Sequence, residues 1–156
     1  MSFTIREIDR DTLRNSRNTL LNFIRKYGER RITRSAIQWL KTVRGNGLSE
    51  KGTLILAALD GRKLIGLVAG ADYGRKESFI VVHPEYRRQG VALEMVNDVV
   101  RRLDRVYGRI AIDNIPSLAM CLQAGFVAFA LEQGPTGKPT LWIGKGNWRK
   151  EEVIAR

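Results

Sequence analysis

Two apolar runs, Thr53-Leu54-Ile55-Leu56-Ala57-Ala58-Leu59 and Lys63-Leu64-Ile65-Gly66-Leu67-Val68-Ala69, flank Asp60-Gly61. An Asp-Gly pair between strand-like runs is a strong hairpin signal, because glycine enters the positive-φ region that a tight turn demands. A hairpin commits its strands to antiparallel pairing. Ser78 to Val82 adds a third apolar run and extends the hairpin to a meander.

The remaining elements are arranged around that meander. Phe3-Thr4-Ile5-Arg6 reads as a short first strand, and Asp11 as the N-cap of a helix carrying Leu13, Leu20, Leu21 and Ile24. Thr33 caps a second helix with Ile37, Leu40 and Val43 on one face, and Arg44-Gly45-Asn46-Gly47 reads as a loop. After the meander, Ala92, Val96, Val99, Leu103 and Val106 mark an amphipathic helix, then Arg109-Ile110-Ala111-Ile112 a short strand. Pro116 suits a first helical turn and Gly125 a helix exit, which predicts a short helix from Pro116 to Ala124. Phe126 to Leu131 and Thr140 to Ile143 close the chain as two strands around Gly134-Pro135-Thr136-Gly137. The order β-α-α-β-β-β-α-β-α-β-β predicts an α+β fold over one domain, residues 1–156, with a mixed, mostly antiparallel sheet flanked by helices on both faces.

Lys and Arg number 27 against 16 Asp and Glu, so the net charge is 27 − 16 = +11 and anionic partners are expected. Nucleic acid, phosphorylated cofactors and acidic substrates all satisfy that charge. The one cysteine, Cys121, makes no internal disulfide and is too few for a structural zinc site. No metal is expected. No apolar run approaches the roughly 18 to 20 residues that span a bilayer, and the N-terminal MSFTIREIDRD has no signal-peptide pattern. The expectation is a cytoplasmic protein, monomeric or homodimeric, with no membrane partner.

Val82 to Met95 reads VHPEYRRQGVALEM, a strand end followed by a basic turn and a helix start. Such a junction turns unpaired backbone N–H groups and the positive end of the helix dipole toward an anion. Gly90 lets the backbone approach a ligand, Ala92 keeps the first turn uncluttered, and Arg87 and Arg88 add charge for a pyrophosphate. The same residues also suit a solvated basic turn before a surface helix.

Arg87-x-x-Gly90-x-Ala92, preceded by Val82-x-Pro84, resembles the acyl-CoA signature of the GNAT superfamily of N-acyltransferases. Asn114 to Phe126, an Asn, a short helix and a closing Gly-Phe, resembles the second motif of that superfamily. The resemblance spans nearly the whole chain and implies the GNAT fold, with acetyl-CoA or another acyl-CoA as cosubstrate. It implies that main-chain groups of Ile80, Val81 and Val82 pair with the pantetheine arm as an added strand would. The amides of Arg88, Gln89, Gly90, Val91, Ala92 and Leu93 would hold the pyrophosphate. Asn114 would contact pantetheine or nearby backbone, and Ser117 a phosphate or pantetheine atom. Asn114 is equally suited to a turn before Pro116.

Many members of the superfamily carry a Tyr seven residues after the motif Asn, placed to protonate the departing CoA thiolate. Here that position is Cys121. A thiol can donate a proton, but a cysteine on an apolar helix also serves as a small buried hydrophobe. Tyr73 and Tyr107 are alternative acids, and solvent is another. Glu77, at the head of the third meander strand, is the first candidate base for an attacking amine, with Asp72, Asp113 and relayed water as others. His83 reads as a turn residue, and Trp39, Trp142 and Trp148 as packing residues.

In this fold the acceptor groove lies between the loop joining the first two helices and the closing hairpin. Here that loop carries Arg25, Lys26, Arg30, Arg31 and Arg34 against Glu29, with Tyr27 among them. Tyr27, Arg30 and Arg31 are therefore candidate acceptor-binding residues, and the charge favours an amine that also bears carboxylate or phosphate. Protein N-termini and lysines remain open as acceptors. Two other classes remain open: a nucleic-acid-directed acyltransferase or binding protein, supported only by the net charge, and a CoA-binding module without catalysis.

Overall fold

The computed structural model describes residues 2–29, 31–134 and 137–154. Strands β2 (Leu54–Asp60) and β3 (Lys63–Ala71) pair antiparallel around a turn in which Gly61 has φ +60°. β4 (Glu77–Val82) pairs along the other edge of β3, with Val68 opposite Ile80. β1 (Thr4–Glu7) adds to β2, giving a four-stranded antiparallel sheet of order β1-β2-β3-β4.

Alternation along these strands sends successive side chains to opposite faces. Ile55, Ala57, Leu67, Ala69, Phe79 and Val81 face helices α1 (Arg10–Tyr27) and α2 (Arg34–Thr42), which cover them with Leu13, Leu20, Leu21, Ile24 and Leu40. Leu54, Leu56, Ala58, Val68 and Val82 face the opposite way, against Val91, Met95, Val96 and Val99 of α4 (Val91–Leu103). Burying each such aliphatic side chain contributes about 1.5–3 kcal/mol.

β5 (Arg105–Ala111), β7 (Pro139–Gly146) and β6 (Val127–Gln133) form a second antiparallel sheet, with β7 in the middle and α5 (Ile115–Gln123) between β5 and β6 in the chain. The fold is α+β with helices on both faces, as expected, and its strands divide into two ladders. β4 and β5 are each hydrogen-bonded on one edge only, and the two sheets are separate ladders. They still touch near their beginnings. Gly74, in the 3₁₀ turn Asp72–Gly74 before β4, has φ +91°, and a Cβ there would lie 1.9 Å from the Tyr107 carbonyl oxygen. Only glycine allows that approach.

Four local expectations are corrected. The cap of α1 is Asp9 rather than Asp11: its carboxylate accepts the Thr12 amide at 2.8 Å, and Asp11 lies inside the first turn. Arg44–Gly47 is not a plain loop, because Gly45–Leu48 form one helical turn, α3. Val106 belongs to β5 and not to the preceding helix. Asp104, at φ +76°, ends the helical repeat, and Val106 then reaches the same core from the strand. β5 consequently starts at Arg105, four residues earlier than its apolar run suggests. The Thr33 cap is as expected, accepting the Ala36 amide at 3.1 Å. Among the described residues, no helix is long and apolar enough to cross a membrane.

Candidate active site

The opening between β4 and β5 leads directly into the turn before α4. His83 ends the strand: its Nδ1 accepts the Glu85 amide at 3.1 Å, and its ring lies 4.4 Å from that of Tyr27 and 5.6 Å from that of Tyr86. It is the turn residue expected, and it caps the 3₁₀ turn Pro84–Tyr86. The backbone then passes through Arg88 at φ +62° and Gly90 at φ +83° before α4 begins. The first amide of this junction to find a backbone acceptor within α4 is that of Glu94, on the Gly90 carbonyl at 3.0 Å. The amides of Val91, Ala92 and Leu93 therefore point out of the helix end, where the dipole is positive. A Cβ added at Gly90 would meet no atom within 4 Å. The glycine thus answers to its backbone angle and to open space, not to crowding by the protein, and this suits a cradle for a pyrophosphate.

Arg88, Gln89 and Gly90 are exposed at the rim of this cradle, and Gln89 donates to the Glu85 carbonyl at 3.0 Å. Arg87 is differently placed. Its guanidinium donates from Nε to the Val82 carbonyl at 3.0 Å, from Nη1 to Glu29 Oε1 at 2.6 Å and from Nη2 to the Tyr27 carbonyl at 3.2 Å. Ile80 and Val82 turn their main-chain groups to the unpaired edge of β4, with the Val82 carbonyl taken by Arg87, whereas Val81 faces Leu67 and bonds into the sheet.

Across the opening, Asn114 caps α5, its side-chain oxygen accepting the Ser117 amide at 3.4 Å. One residue therefore meets both the turn requirement before Pro116 and the placement of Ser117 at the helix start. Cys121 is buried within α5, 5% exposed, and loss of solvent pushes its thiol up to about 12. Burial disfavours the thiolate.

Glu77 projects to the same face as Phe79 and Val81, toward α2, and Ser35 Oγ donates to its Oε1 at 3.1 Å. The other candidate carboxylates are held by cations. Asp72 accepts Arg75 Nη2 at 2.6 Å, and Asp113 accepts Lys138 Nζ at 2.9 Å. The Lys138 hydrogen bond holds the Asp113 carboxyl below its ordinary value, with the charges of Lys138 and Arg31 adding to the effect. That influence of Arg31 brings the loop after α1 into electrostatic range of the loop after β5. Arg30 lies outside the described residues.

The candidate tyrosines are committed elsewhere. Tyr107 is fully buried, its hydroxyl donating to Glu152 Oε1 at 2.6 Å and accepting the Arg149 amide at 2.8 Å. Burial, with the Glu152 bond next, raises its pKa. Tyr73 packs its ring 4.0 Å from the Arg105 guanidinium. Trp142 is 8% exposed and, as expected, packs in the second sheet, with the Arg109 guanidinium 5.2 Å from its ring. A shallow cleft of about 380 Å³ beside it is lined by Asp72, Arg75, Trp142, Glu152 and Val153.

Residue-type patterns did not point to Glu29, Ser35, Arg109 or Glu152. Only the facing of Arg109 and Trp142 carried a usable signal, through strand alternation, and it needed the β5–β7 register to be read. Among the described residues, no group of three His, Cys, Asp or Glu side chains could hold a metal ion.

A model of the acetyltransferase (GNAT) family matches residues 13–126 of the chain. No curated protein matches the sequence. Among solved structures, the chain is similar to a ribosomal-protein-S5-alanine acetyltransferase from Vibrio fischeri, with TM-score 0.69, 16% identity and 94% of each chain covered. It is also similar to a chimera of Vibrio cholerae spermidine N-acetyltransferase and hSSAT, with TM-score 0.68, 16% identity and 100% of each chain covered. A third, the ribosomal-protein-S18-alanine N-acetyltransferase from Escherichia coli, gives TM-score 0.63 and 12% identity over 99% of this chain and 100% of that one. At these identities the likeness is one of fold.

Proposed function

The chain belongs to the GNAT acetyltransferase family of acyl-CoA-dependent transferases, and from that premise we propose that it moves an acetyl group from acetyl-CoA to a primary amine bearing a carboxylate or phosphate, by direct transfer in a ternary complex. The observation that carries the reading is the junction of an unpaired β4 edge with outward-pointing amides at Val91, Ala92 and Leu93. An extended pantetheine arm adds to the edge at Ile80 and the Val82 amide, while the pyrophosphate meets the amides from Arg88 to Leu93. Asn114 and Ser117 border the arm from α5.

Acetyl-CoA supplies an activated acyl carbon: attack by the amine forms the C–N bond, breaks the C–S bond, and leaves one proton to be taken from nitrogen and one to be given to sulfur. Glu77 is the base in this reading. Its hydrogen-bond partner is the neutral Ser35 hydroxyl, whereas the Asp72 carboxylate is taken up by Arg75 and Lys138 holds the Asp113 carboxyl below its ordinary value. Burial of Cys121 supports a packing role, with solvent protonating the thiolate. Arg31, whose charge reaches the Asp113 carboxyl, favours the anionic end of the acceptor. The protein is taken as cytoplasmic, in keeping with a single unpaired cysteine.

The deciding experiment follows thiol release from acetyl-CoA with a panel of amines: amino acids, amino sugar phosphates, polyamines and N-terminal peptides. Turnover highest with anionic amines is the expected result. Preference for polyamines would overturn the acceptor assignment. CoA binding without turnover on any amine would favour a module without catalysis.

A further inference from the structure

Arg87 belongs to the turn that resembles a pyrophosphate cradle, yet its guanidinium spends its donors on the protein. Nε holds the Val82 carbonyl, at the end of β4. Nη2 holds the Tyr27 carbonyl, the last of α1, and Nη1 holds Glu29 just beyond. The cation thus caps the Tyr27 carbonyl at the negative end of the α1 dipole, a favourable place for it. The fork geometry of guanidinium suits these diverging acceptors, which a lysine ammonium could not span.

A second contact runs in parallel. The Tyr27 ring rests on His83 at 4.4 Å, and His83 caps the 3₁₀ turn that leads to Arg87. Beyond Glu29, the chain folds back so that the Arg31 amide donates to the Gly28 carbonyl at 2.9 Å. The end of α1, the start of the acceptor-side loop and the phosphate turn are therefore fastened to one another through one side chain.

We propose that Arg87 is a positioning residue that couples CoA binding at the phosphate turn to ordering of the acceptor-side loop at Glu29, Arg31 and Ile32. It does not act as a phosphate ligand. A pyrophosphate seated on the amides from Arg88 to Leu93 fixes the backbone of Arg87, whose fork then fixes Tyr27 and Glu29. The coupling rests on the CoA-binding reading above.

The test uses the full chain, with CoA as the probe. Calorimetry gives the CoA affinity, and amide hydrogen exchange reports Glu29, Arg31 and Ile32 with and without saturating CoA. In the wild type, CoA slows exchange at these amides by about fivefold or more, the lower end of common coupling strengths. In Glu29→Gln and in Arg87→Lys, that slowing falls to less than about twofold, while the CoA Kd stays within about threefold. Glu29→Gln alters an exposed side chain, so it keeps the test valid if Arg87→Lys folds poorly. Wild-type binding of CoA without any slowing at the loop overturns the proposal and leaves the CoA site standing. A tenfold or greater loss of CoA affinity in Arg87→Lys, with loop slowing retained in Glu29→Gln, also overturns it and makes Arg87 a phosphate ligand. Failure of the wild type to bind CoA overturns both readings.

Discussion

The Ser35 hydroxyl donates to Glu77 Oε1 at 3.1 Å, joining the first turn of α2 to the head of β4 across 42 residues of chain. The carboxylate is thereby held toward α2. Glu77→Gln is expected to lower kcat by about a hundredfold or more, within the usual range for a positioned base, with little change in CoA affinity. Ser35→Ala is expected to cost only a few-fold in kcat. Steady-state kinetics on both variants checks the assignment, and near-normal turnover in Glu77→Gln would remove Glu77 as base.

Cys121 is 5% exposed with its thiol pushed up to about 12, so it is expected to resist alkylation at pH 8 in the folded protein and to react once unfolded. Cys121→Ala should leave turnover within a few-fold and cost about 1–2 kcal/mol of stability through lost packing. Mass spectrometry after iodoacetamide treatment, followed by denaturation and a second alkylation, reads the first part. Rapid native alkylation with parallel loss of activity would assign the thiol a catalytic task.

Gly90 sits at φ +83° with no atom within 4 Å of an added Cβ. Gly90→Ala should therefore lower stability by about 1–2 kcal/mol, the left-handed backbone cost alone. Gly90→Glu should in addition abolish the rise in Tm caused by CoA, because a carboxylate would enter the phosphate space. Thermal melts with and without CoA separate the two effects. An undiminished ligand shift in Gly90→Glu would refute the cradle.

Glu152 accepts Arg105 Nε at 2.7 Å and the Tyr107 hydroxyl at 2.6 Å, and Arg105, with Tyr107 and Arg75, holds its carboxyl below the ordinary value. A depressed folded pKa means stability fully present above the unfolded value, about 4.3, and lost as pH falls through the folded one. Glu152→Gln should be destabilised at pH 7 by more than the roughly 1 kcal/mol of an exposed pair and less than the about 3–5 kcal/mol of a fully buried one. The gap from the wild type should close below about pH 4. Urea denaturation at pH 7, 5 and 3.5 tests this; a gap independent of pH would mean that packing, not charge, is involved.

Arg31→Glu is expected to raise the acceptor KM for an anionic amine about tenfold at low salt, with the difference shrinking as salt is raised. Kinetics at two ionic strengths decides it. An unchanged KM would make Arg31 a solvated surface charge.

Local chemistry in the chain determined the meander, its Asp60-Gly61 turn, the Thr33 cap, the two motif-bearing helix starts and the order of elements. Hydrophobic periodicity and the special backbone angles of glycine act within a few residues, so they are legible without knowing what packs where. The same locality explains the errors at Asp104 and Val106: an apolar residue in phase with a helix can serve the same core from a strand, and only the positive φ at Asp104 distinguishes them. The tertiary structure alone decided that the sheet parts between β4 and β5, and that Arg87 reaches Tyr27 and Glu29 from 58 to 60 residues away. It likewise decided that Glu77 meets Ser35 and that Cys121 is sealed in α5. The contacts of Arg87 and Glu77 are long-range pairings between exposed or half-exposed polar groups, and nothing in the periodicity of either partner encodes the identity of the other.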